Sequence, residues 1–170
     1  VGQILIFSVI AFIPLFMVDH FSVGEEVAAA LLALVYSAGL WAGPLGGYLS
    51  DRVGRVPVML TVSLIAGPII YLLNLVPYGW GISAVLLAIG MSMYVRMPVS
   101  EAYIISQVSE RKRSTILGIY YVGRQGAGAI TPVMGYLIDR FGFYTTFTIV
   151  GIMMVAVTLG CSIFLWGSRD

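Results

Sequence analysis

The stretch GPLGGYLSDRVGR, residues 43–55, interrupts an apolar run with glycines, a proline and charged side chains. A second stretch, TPVMGYLIDRFGF at residues 131–143, repeats it in register. Seven of the 13 aligned positions are identical, in the order Pro, Gly, Tyr, Leu, Asp, Arg and Gly. Each copy closes an apolar run, so the repeat predicts that one kind of helix end occurs twice in the chain.

The composition is typical of an integral membrane protein. Of the 170 residues, 59% are hydrophobic and 10% are charged, and the mean hydropathy is +0.98. A soluble domain carries about 25% charged residues, so this chain could not cover a water-exposed surface with polar groups. Long uncharged runs without short alternating strands predict an all-α membrane protein rather than a barrel.

The composition also argues against several function classes. A net charge of +1 provides no basic footprint for nucleic acid. One cysteine and one histidine cannot form an intrachain disulfide or a zinc site, so we expect neither a metal nor a cofactor. The sequence shows no Ser–His–Asp set and no nucleotide-binding loop, so we expect no catalytic residues and no enzyme activity.

Apolar runs of about 20 residues predict six transmembrane helices, which we name a to f. Their approximate spans are residues 2–18, 27–50, 56–76, 82–106, 114–138 and 143–166. The loops between them are short, so neighbours in sequence should be antiparallel neighbours in space. The whole chain, 1–170, is then a single six-helix bundle.

The positions of lysine and arginine predict the orientation of this bundle. One side carries Arg52 and Arg55, the run 111–113 and Arg169, and the positive-inside rule makes that side cytoplasmic. The other side is acidic, with Arg140 as its one basic residue. Both termini are therefore predicted to be cytoplasmic, in a prokaryotic inner or plasma membrane.

The repeated stretch closes helix b and then helix e, three helices later. An odd number of crossings places the two copies on opposite membrane faces. Helices a–b–c and d–e–f, about residues 1–76 and 80–168, are therefore predicted to be inverted repeats, as found within each half of some secondary transporters. Chance similarity of two glycine-rich helix ends is the alternative, which seven identities disfavour.

These features resemble the major facilitator superfamily. Residues 46–55 are similar to that family's loop motif between the second and third helices of a six-helix half, Gly-x-Leu-Ser-Asp-Arg-x-Gly-Arg. Val56 and Pro57 stand where a further basic residue is usual. Residues 98–113 resemble the fourth helix and the loop after it. The resemblance covers the whole chain, implies one six-helix half and favours the C-terminal half.

The resemblance implies that the first copy of the repeated stretch is a conformational latch on the cytoplasmic side. Asp51 is expected just before helix c, where its carboxylate can accept hydrogen bonds from free amides. Arg52 and Arg55 can pair with Asp51 or with Glu110. The alternative is that the arginines only fix orientation. The predicted latch residues are Gly47, Asp51, Arg52, Gly54, Arg55 and Glu110.

Residues 128–135 resemble a glycine- and proline-rich motif common in the fifth helix of exporters, with Thr131 where that motif has glycine. Gly128, Pro132 and Gly135 are expected to let helix e bend, because proline frees a carbonyl one turn earlier. Ordinary small-residue packing is the alternative. The motif favours export, and import stays open.

Three ionisable residues lie within predicted spans, namely Arg96, Glu101 and Arg124. Each costs about 2.5–3.5 kcal/mol on insertion scales, so each should face the protein interior or a wet cavity. Two arginines at mid-depth predict a cavity for an anionic substrate. Glu101 is the predicted proton-coupling group, because a desolvated carboxyl holds a proton more readily. A structural Arg–Glu–Arg network is the alternative.

Four further polar residues are predicted to line the substrate cavity with the two arginines: Gln3, Tyr94, Tyr120 and Gln125. The sequence thus predicts half of a secondary active transporter that moves a small solute, an organic anion or drug-like compound, by alternating access. Proton coupling, as symport or antiport, is the family default. The alternative function is a non-transporting membrane scaffold or sensor, which gains little from costly midplane charges.

The expected partners follow from that function. The chain should lie in a lipid bilayer, bind a small-molecule substrate and protons, and bind no nucleic acid. One half alone would expose polar midplane residues to lipid. It therefore needs a second six-helix half, either a homodimer copy or the rest of a longer chain.

Overall fold

The computed structural model describes residues 2–125, 128 and 130–166, without the side chains of residues 124, 125 and 164–166. These residues form helices, with no strand in the described part. The helices are α1 Gly2–Phe21, α2 Glu25–Ser37, α3 Gly39–Val53, α4 Arg55–Leu72, α5 Trp80–Gln107, a 3-10 helix Glu110–Lys112, α6 Arg113–Gln125 and α7 Thr131–Trp166. The predicted all-α membrane architecture is confirmed.

Five helical segments of the described chain are long and apolar enough to cross a membrane. They are Gly2–Phe21, Glu25–Val53, Arg55–Leu72, Trp80–Gln107 and Thr131–Ile163. The second contains α2 and α3 because Ala38 between them keeps helical dihedral angles, φ −56° and ψ −26°. Predicted helices a, b, c, d and f correspond to these five segments.

Predicted helix e differs from the structure. Residues 114–138 are divided between α6, which has 13 residues and is too short to span a bilayer, and the first turns of α7. α6 ends at Gln125 and α7 begins at Thr131, and the sequence between them includes Gly126 and Gly128, a residue type of low helix propensity. Residues 114–138 nevertheless read as one span in the sequence, because Arg124 is their one charged residue.

Two glycines of the repeated stretch form corners with the same backbone conformation. Gly54 separates α3 from α4 with φ 102° and ψ 150°, and Gly142 kinks α7 with φ 78° and ψ 168°. Residues other than glycine hardly ever adopt this region of the φ/ψ plane. The Gly142 corner therefore divides α7 where the sequence predicts the boundary between helices e and f.

Glycines also bring helices into backbone contact. A Cβ atom on Gly46 of α3 would collide with the carbonyl oxygen of Val95 on α5. A Cβ atom on Gly151 of α7 would lie 3.0 Å from the carbonyl oxygen of Gly67 on α4. Such contacts are expected within a bilayer, where no hydrophobic effect drives helices together.

The helices differ in how deeply they are buried. α1 supplies many side chains of the main core, including Ile6, Ile13 and Phe16, each at most 1% exposed. On α7, by contrast, Ile152 is 64% exposed and Leu159 is 49% exposed. This difference fits an interior α1 and a lipid-facing α7 surface.

One end of the bundle is closed by aromatic rings, which we call the aromatic cluster. The Phe16 ring lies 5.3 Å from that of Phe143, next to the Gly142 corner, and the Phe21 ring lies 5.7 Å from that of Tyr78. Tyr78 lies two residues before the start of α5. The C-terminal end of α1, the start of α5 and the Gly142 corner therefore share one end of the bundle.

The Gly54 corner lies near the far end of α5. Arg55 Nη1 donates a hydrogen bond of 2.9 Å to the carbonyl oxygen of Ala102, close to the C-terminus of α5. Since α5 begins at the aromatic cluster and continues for 28 residues, the two corners lie at opposite ends of this helix.

Candidate substrate site

A cavity of about 370 Å³ lies between the N-terminal turn of α1, the second half of α5 and α6. We call it the Arg96 cavity. Its lining includes Gln3, Met59, Arg96, Ser100, Tyr103 and Tyr120. Three of the six residues predicted to bind substrate, from three different helices, therefore meet at one place.

Hydrogen bonds join these helices along one wall of the Arg96 cavity. The hydroxyl oxygens of Ser100 on α5 and Tyr120 on α6 lie 3.0 Å apart. The Tyr120 hydroxyl also donates to Oε1 of Gln3 on α1 at 3.3 Å. The wall is thus a hydrogen-bonded network that holds the polar groups in place.

Two nitrogen atoms of the Arg96 guanidinium lack an acceptor. Nε and Nη1 are shut off from solvent and form no hydrogen bond with any described residue, and the same holds for Nε2 of Gln3. Nη1 is close to the backbone of α1, because a Cβ atom on Gly2 would lie 2.5 Å from it. All three atoms are N–H donors, so the missing partner is an acceptor, and the strongest acceptor for a guanidinium is an anion.

The other predicted substrate residues are not in the part of the cavity lining that the structure describes. Tyr94 contacts α3, since a Cβ atom on Gly39 would be 3.0 Å from its ring, and it does not line the Arg96 cavity. The side chains of Arg124 and Gln125 lie outside the described part of the chain. Glu101 is partly buried on α5 and is likewise absent from the cavity lining.

Sequence reasoning missed Ser100 and Tyr103. They follow Arg96 by four and seven residues, the spacing that places side chains on one face of a helix. Helical periodicity counted from Arg96 could have found both of them. Met59, from α4, carries no such signal.

The predicted latch residues pair differently from expectation. Within 4 Å, neither Arg52 nor Arg55 forms an ion pair with Asp51 or Glu110, and Glu110 instead lies 3.6 Å from Nη1 of Arg113. Arg55 contacts α5 through the carbonyl of Ala102. The bond at this corner is therefore between a side chain and the main chain, not between two charged side chains.

Asp51 does not cap helix c, contrary to expectation. α3 continues to Val53, so Asp51 is an exposed residue of its last turn. The residue before α4 is Gly54, and no side chain caps that helix. The prediction ended helix b at Ser50, whereas the positive φ of Gly54 ends it later.

The other residues of the repeated stretch have distinct surroundings. The Arg52 guanidinium lies 4.9 Å from the centroid of the Tyr48 ring. A Cβ atom on Gly47 would meet nothing within 4 Å, so its neighbour Gly46 is the glycine that packs against α5. The latch motif thus contains one packing glycine and one exposed to open space.

The predicted bending residues lie at the start of α7. Pro132 is the second residue of that helix, where its missing N–H disrupts no internal hydrogen bond, so it does not kink a helix interior. Gly135 admits the Phe12 ring, which would lie 3.2 Å from a Cβ atom there. Gly128 is exposed.

Residues 2–170 match the family described as Major Facilitator Superfamily. The chain belongs to this family. The resemblance drawn from its sequence motifs is confirmed, and the MFS chain is an integral membrane protein.

Curated relatives of this MFS chain are bacterial proteins named as an efflux pump, a multidrug resistance protein and an antiporter. It is 30% identical over 168 residues to the multi-drug resistance efflux pump PmrA of Streptococcus pneumoniae, covering 91% of this chain and 40% of PmrA. It is 26% identical over 163 residues to the multidrug resistance protein MdtG of Yersinia enterocolitica, covering 93% and 38%. It is 26% identical over 154 residues to a Na(+), Li(+), K(+)/H(+) antiporter of Planococcus maritimus, covering 86% and 36%. The chain thus spans less than half the length of these relatives.

Proposed function

We propose that this MFS chain is one six-helix half of a secondary transporter that moves a small organic anion or anionic drug-like compound by alternating access. One observation carries this proposal. Arg96 presents two buried nitrogen donors, without partners among the described residues, to a cavity whose lining also carries a hydroxyl and amide network. A cation without an acceptor is costly inside a membrane protein, and a bound anion would remove that cost.

The relatives' names support transport and narrow its class. PmrA and MdtG are named for multidrug resistance, which favours a drug-like compound and export. The third relative is named as a cation/proton antiporter, which favours proton coupling. Within the described residues, Glu101 of α5 is the carboxyl that we assign to proton coupling, because it lies within the span that also carries Arg96.

Inverted repeats and opposite corner positions form the second part of the proposal. The Gly54 and Gly142 corners share a backbone conformation and lie at opposite ends of α5, which supports three-helix units of inverted orientation. The positive-inside rule then makes the Gly54 corner and both termini cytoplasmic, in a bacterial inner membrane. A second six-helix half, a homodimer copy or the rest of a longer chain, would complete the pathway.

Arg55 has the latch role in this proposal. Its bond to Ala102 ties the loop between α3 and α4 to the cytoplasmic end of α5. A single charge-assisted hydrogen bond at a wet interface can break and re-form as the halves rock, which a packed hydrophobic contact does less readily. Gly54 supplies the corner that positions Arg55.

Binding of salicylate, a small aromatic carboxylate, tests the site. We expect the purified chain in nanodiscs to bind radiolabelled salicylate, and Arg96→Gln to weaken binding by about 10-fold or more, because one charged hydrogen-bond partner is worth about 1.5–3 kcal/mol. Arg140→Gln is the matched control, since Arg140 is exposed. Equal salicylate affinity in both variants would refute the anion site.

Transport itself is tested in proteoliposomes with an imposed pH gradient. We expect the gradient to drive salicylate uptake or release and Glu101→Gln to uncouple this flux from the gradient. Salicylate binding without any flux, in chains shown by crosslinking to be paired, would favour the scaffold or sensor function. Flux by a chain that crosslinking shows to be a monomer would contradict the need for a second half.

A further inference from the structure

The helices α4 and α7 cross at a pair of glycines and diverge on either side. At the crossing, Gly67 and Gly151 are in backbone contact. Towards the start of α4, the divergence opens a cavity of about 200 Å³, which we call the α4–α7 wedge. Its sides are Met59, Leu60 and Ser63 from α4 and Val157, Thr158 and Cys161 from α7.

Arg96 lies at the base of the wedge. Arg96, Met59 and Tyr103 line both the wedge and the Arg96 cavity. The guanidinium thus stands between two spaces, one bounded by α1, α5 and α6 and the other by α4 and α7. Its unpartnered Nε and Nη1 atoms could receive an anion from either of them.

The same two helices also form an apolar groove, whose lining includes both crossing glycines. It has a volume of about 630 Å³, and its lining includes Pro68, Tyr71, Ile152 and Leu159. Ile152 is 64% exposed, so in a bilayer this groove meets acyl chains. Along α7, Leu159 of the groove is the neighbour in sequence of Thr158 of the wedge. We call the groove and the wedge together the α4–α7 seam, which has the lipid-facing surface at the groove and Arg96 at the wedge.

The seam therefore combines a lipid-facing apolar surface with the partly buried guanidinium of Arg96. We propose that the α4–α7 wedge binds single-tailed amphiphilic carboxylates from the bilayer, with the carboxylate on Arg96 and the apolar tail along the seam. Charge complementarity selects the headgroup, and the aliphatic lining accommodates the tail. This proposal rests on the assignment of Arg96 as an anion site and adds both a substrate class and a lateral entrance.

Cys161 provides a reporter inside the wedge. It is the one cysteine of the sequence, it is exposed, and it lines the wedge next to Thr158. In phosphatidylcholine nanodiscs, N-ethylmaleimide should label it. We expect laurate at about ten times its dissociation constant to slow labelling about tenfold, because occupancy removes the free fraction in proportion.

Four comparisons make the test specific. Arg96→Gln should abolish protection by laurate, and Leu60→Trp, which narrows the wedge, should abolish it while salicylate binding persists. Salicylate has no tail and should leave Cys161 labelling unchanged. The matched reporter is Gly160→Cys with Cys161→Ser, because Gly160 is exposed and does not line the wedge; laurate should not protect it.

Several results would overturn the wedge proposal. Equal protection by laurate in Arg96→Gln, or at the Gly160→Cys reporter, would show that laurate merely partitions beside α7. Labelling that is already slow in phosphatidylglycerol nanodiscs without laurate would assign the wedge to a resident phospholipid. Absence of laurate protection together with intact salicylate binding would refute the wedge proposal alone.

One further result separates the two proposals in the other direction. Arg96-dependent laurate protection without salicylate binding would support the wedge and refute only the anion site in the Arg96 cavity.

Discussion

The Gly54 and Gly142 corners have the same backbone but are anchored by different chemistry. Both glycines adopt positive φ with extended ψ. The next residue differs: Arg55 bonds a main-chain carbonyl of α5, whereas Phe143 packs its ring against Phe16 of α1. In the proposed inverted repeats α5 and α1 are equivalent helices, so a polar anchor at one end replaces an aromatic anchor at the other.

The comparison separates the glycines, which fix the backbone conformation of each corner, from the residues after them, which determine how firmly each corner is held. Glycine alone fits the corner, so both copies retain it. The anchor is free to vary, and a single hydrogen bond separates more readily than the aromatic cluster, in which Phe16 also contacts Phe147 at 5.2 Å between ring centroids. The Gly54 corner is therefore the one suited to act as a latch.

A second pair of contacts repeats across the copies. Arg52 lies over the ring of Tyr48, and Arg140 donates to the hydroxyl of Tyr136 at 3.2 Å. Each arginine folds back by four residues onto an aligned tyrosine. Because both pairs are exposed, we expect them to contribute little to stability.

The largest expected effect comes from the glycines that pack against another helix. They are Gly46 in the first copy of the stretch and Gly135, which aligns with Gly47, in the second. Gly46→Ala should lower the free energy of unfolding by about 1–3 kcal/mol, because its Cβ atom meets a backbone carbonyl that cannot move alone. Gly47→Ala is the matched control and should raise it by about 0.5–1 kcal/mol, since alanine favours a helix. Thermal unfolding in detergent measures both. An equal effect at the two positions would contradict the packing at α5.

The corners themselves should respond alike. Gly54→Ala and Gly142→Ala should each cost about 1–3 kcal/mol of stability, because alanine is strained at these dihedral angles. Gly160→Ala, in an exposed helical position with nothing near its Cβ, is the control and should not destabilise. A loss of stability in only one of the two variants would show that the two corners are not equivalent.

Removal of each anchor should loosen a different end of the bundle. Arg55→Met should speed hydrogen exchange near Ala102 at the end of α5, because it removes the hydrogen bond from Arg55 to the Ala102 carbonyl. Such a bond to a charged group contributes about 1.5–3 kcal/mol, and less where water screens it. Phe143→Leu should speed exchange in the last turn of α1 instead, by loss of about 0.5–1.5 kcal/mol of ring contact. Exchange mass spectrometry resolves both segments. If either variant loosened both ends, the anchors would not be independent.

The smallest effect is expected at the repeated tyrosine–arginine pairs. Arg52→Ala and Arg140→Ala should each change stability by about 0.5–1 kcal/mol or less, since both pairs are exposed. Parallel thermal unfolding of the two variants checks this. A large loss of stability for Arg52→Ala alone would assign the latch role to Arg52 instead of Arg55.

The helices and the two corners could be predicted from the sequence, because they depend on hydrophobic periodicity and on backbone conformation. Hydrophobic runs located five of the six helices, and the aligned glycines marked both corners. Mid-span charge located Arg96, because a cation in an apolar run requires a polar environment. Gln3 and Tyr120 were predicted as uncharged polar residues within apolar spans, and they line the same cavity as Arg96; their role in substrate binding stays a prediction.

The sequence could not predict contacts that depend on helix rotation or on the main chain. Tyr94 faces α3 rather than the Arg96 cavity, because the close approach at Gly46 sets how α5 is turned. The partner of Arg55 is a carbonyl group, which every residue carries and no sequence motif marks. The end of α6 at Gln125, before α7 begins at Thr131, was not predicted, because residues 114–138 contain a single charged residue, Arg124.

Cysteine accessibility at the two corners tests the central claim most directly. Asp51 and Asp139 occupy aligned positions and are both exposed, so each can be replaced by cysteine in a Cys161→Ser background. In intact bacterial spheroplasts, a membrane-impermeant maleimide should label Asp139→Cys, and should label Asp51→Cys only after permeabilisation. Labelling of both cysteines from the same side would contradict the inverted repeats and the pathway built on them.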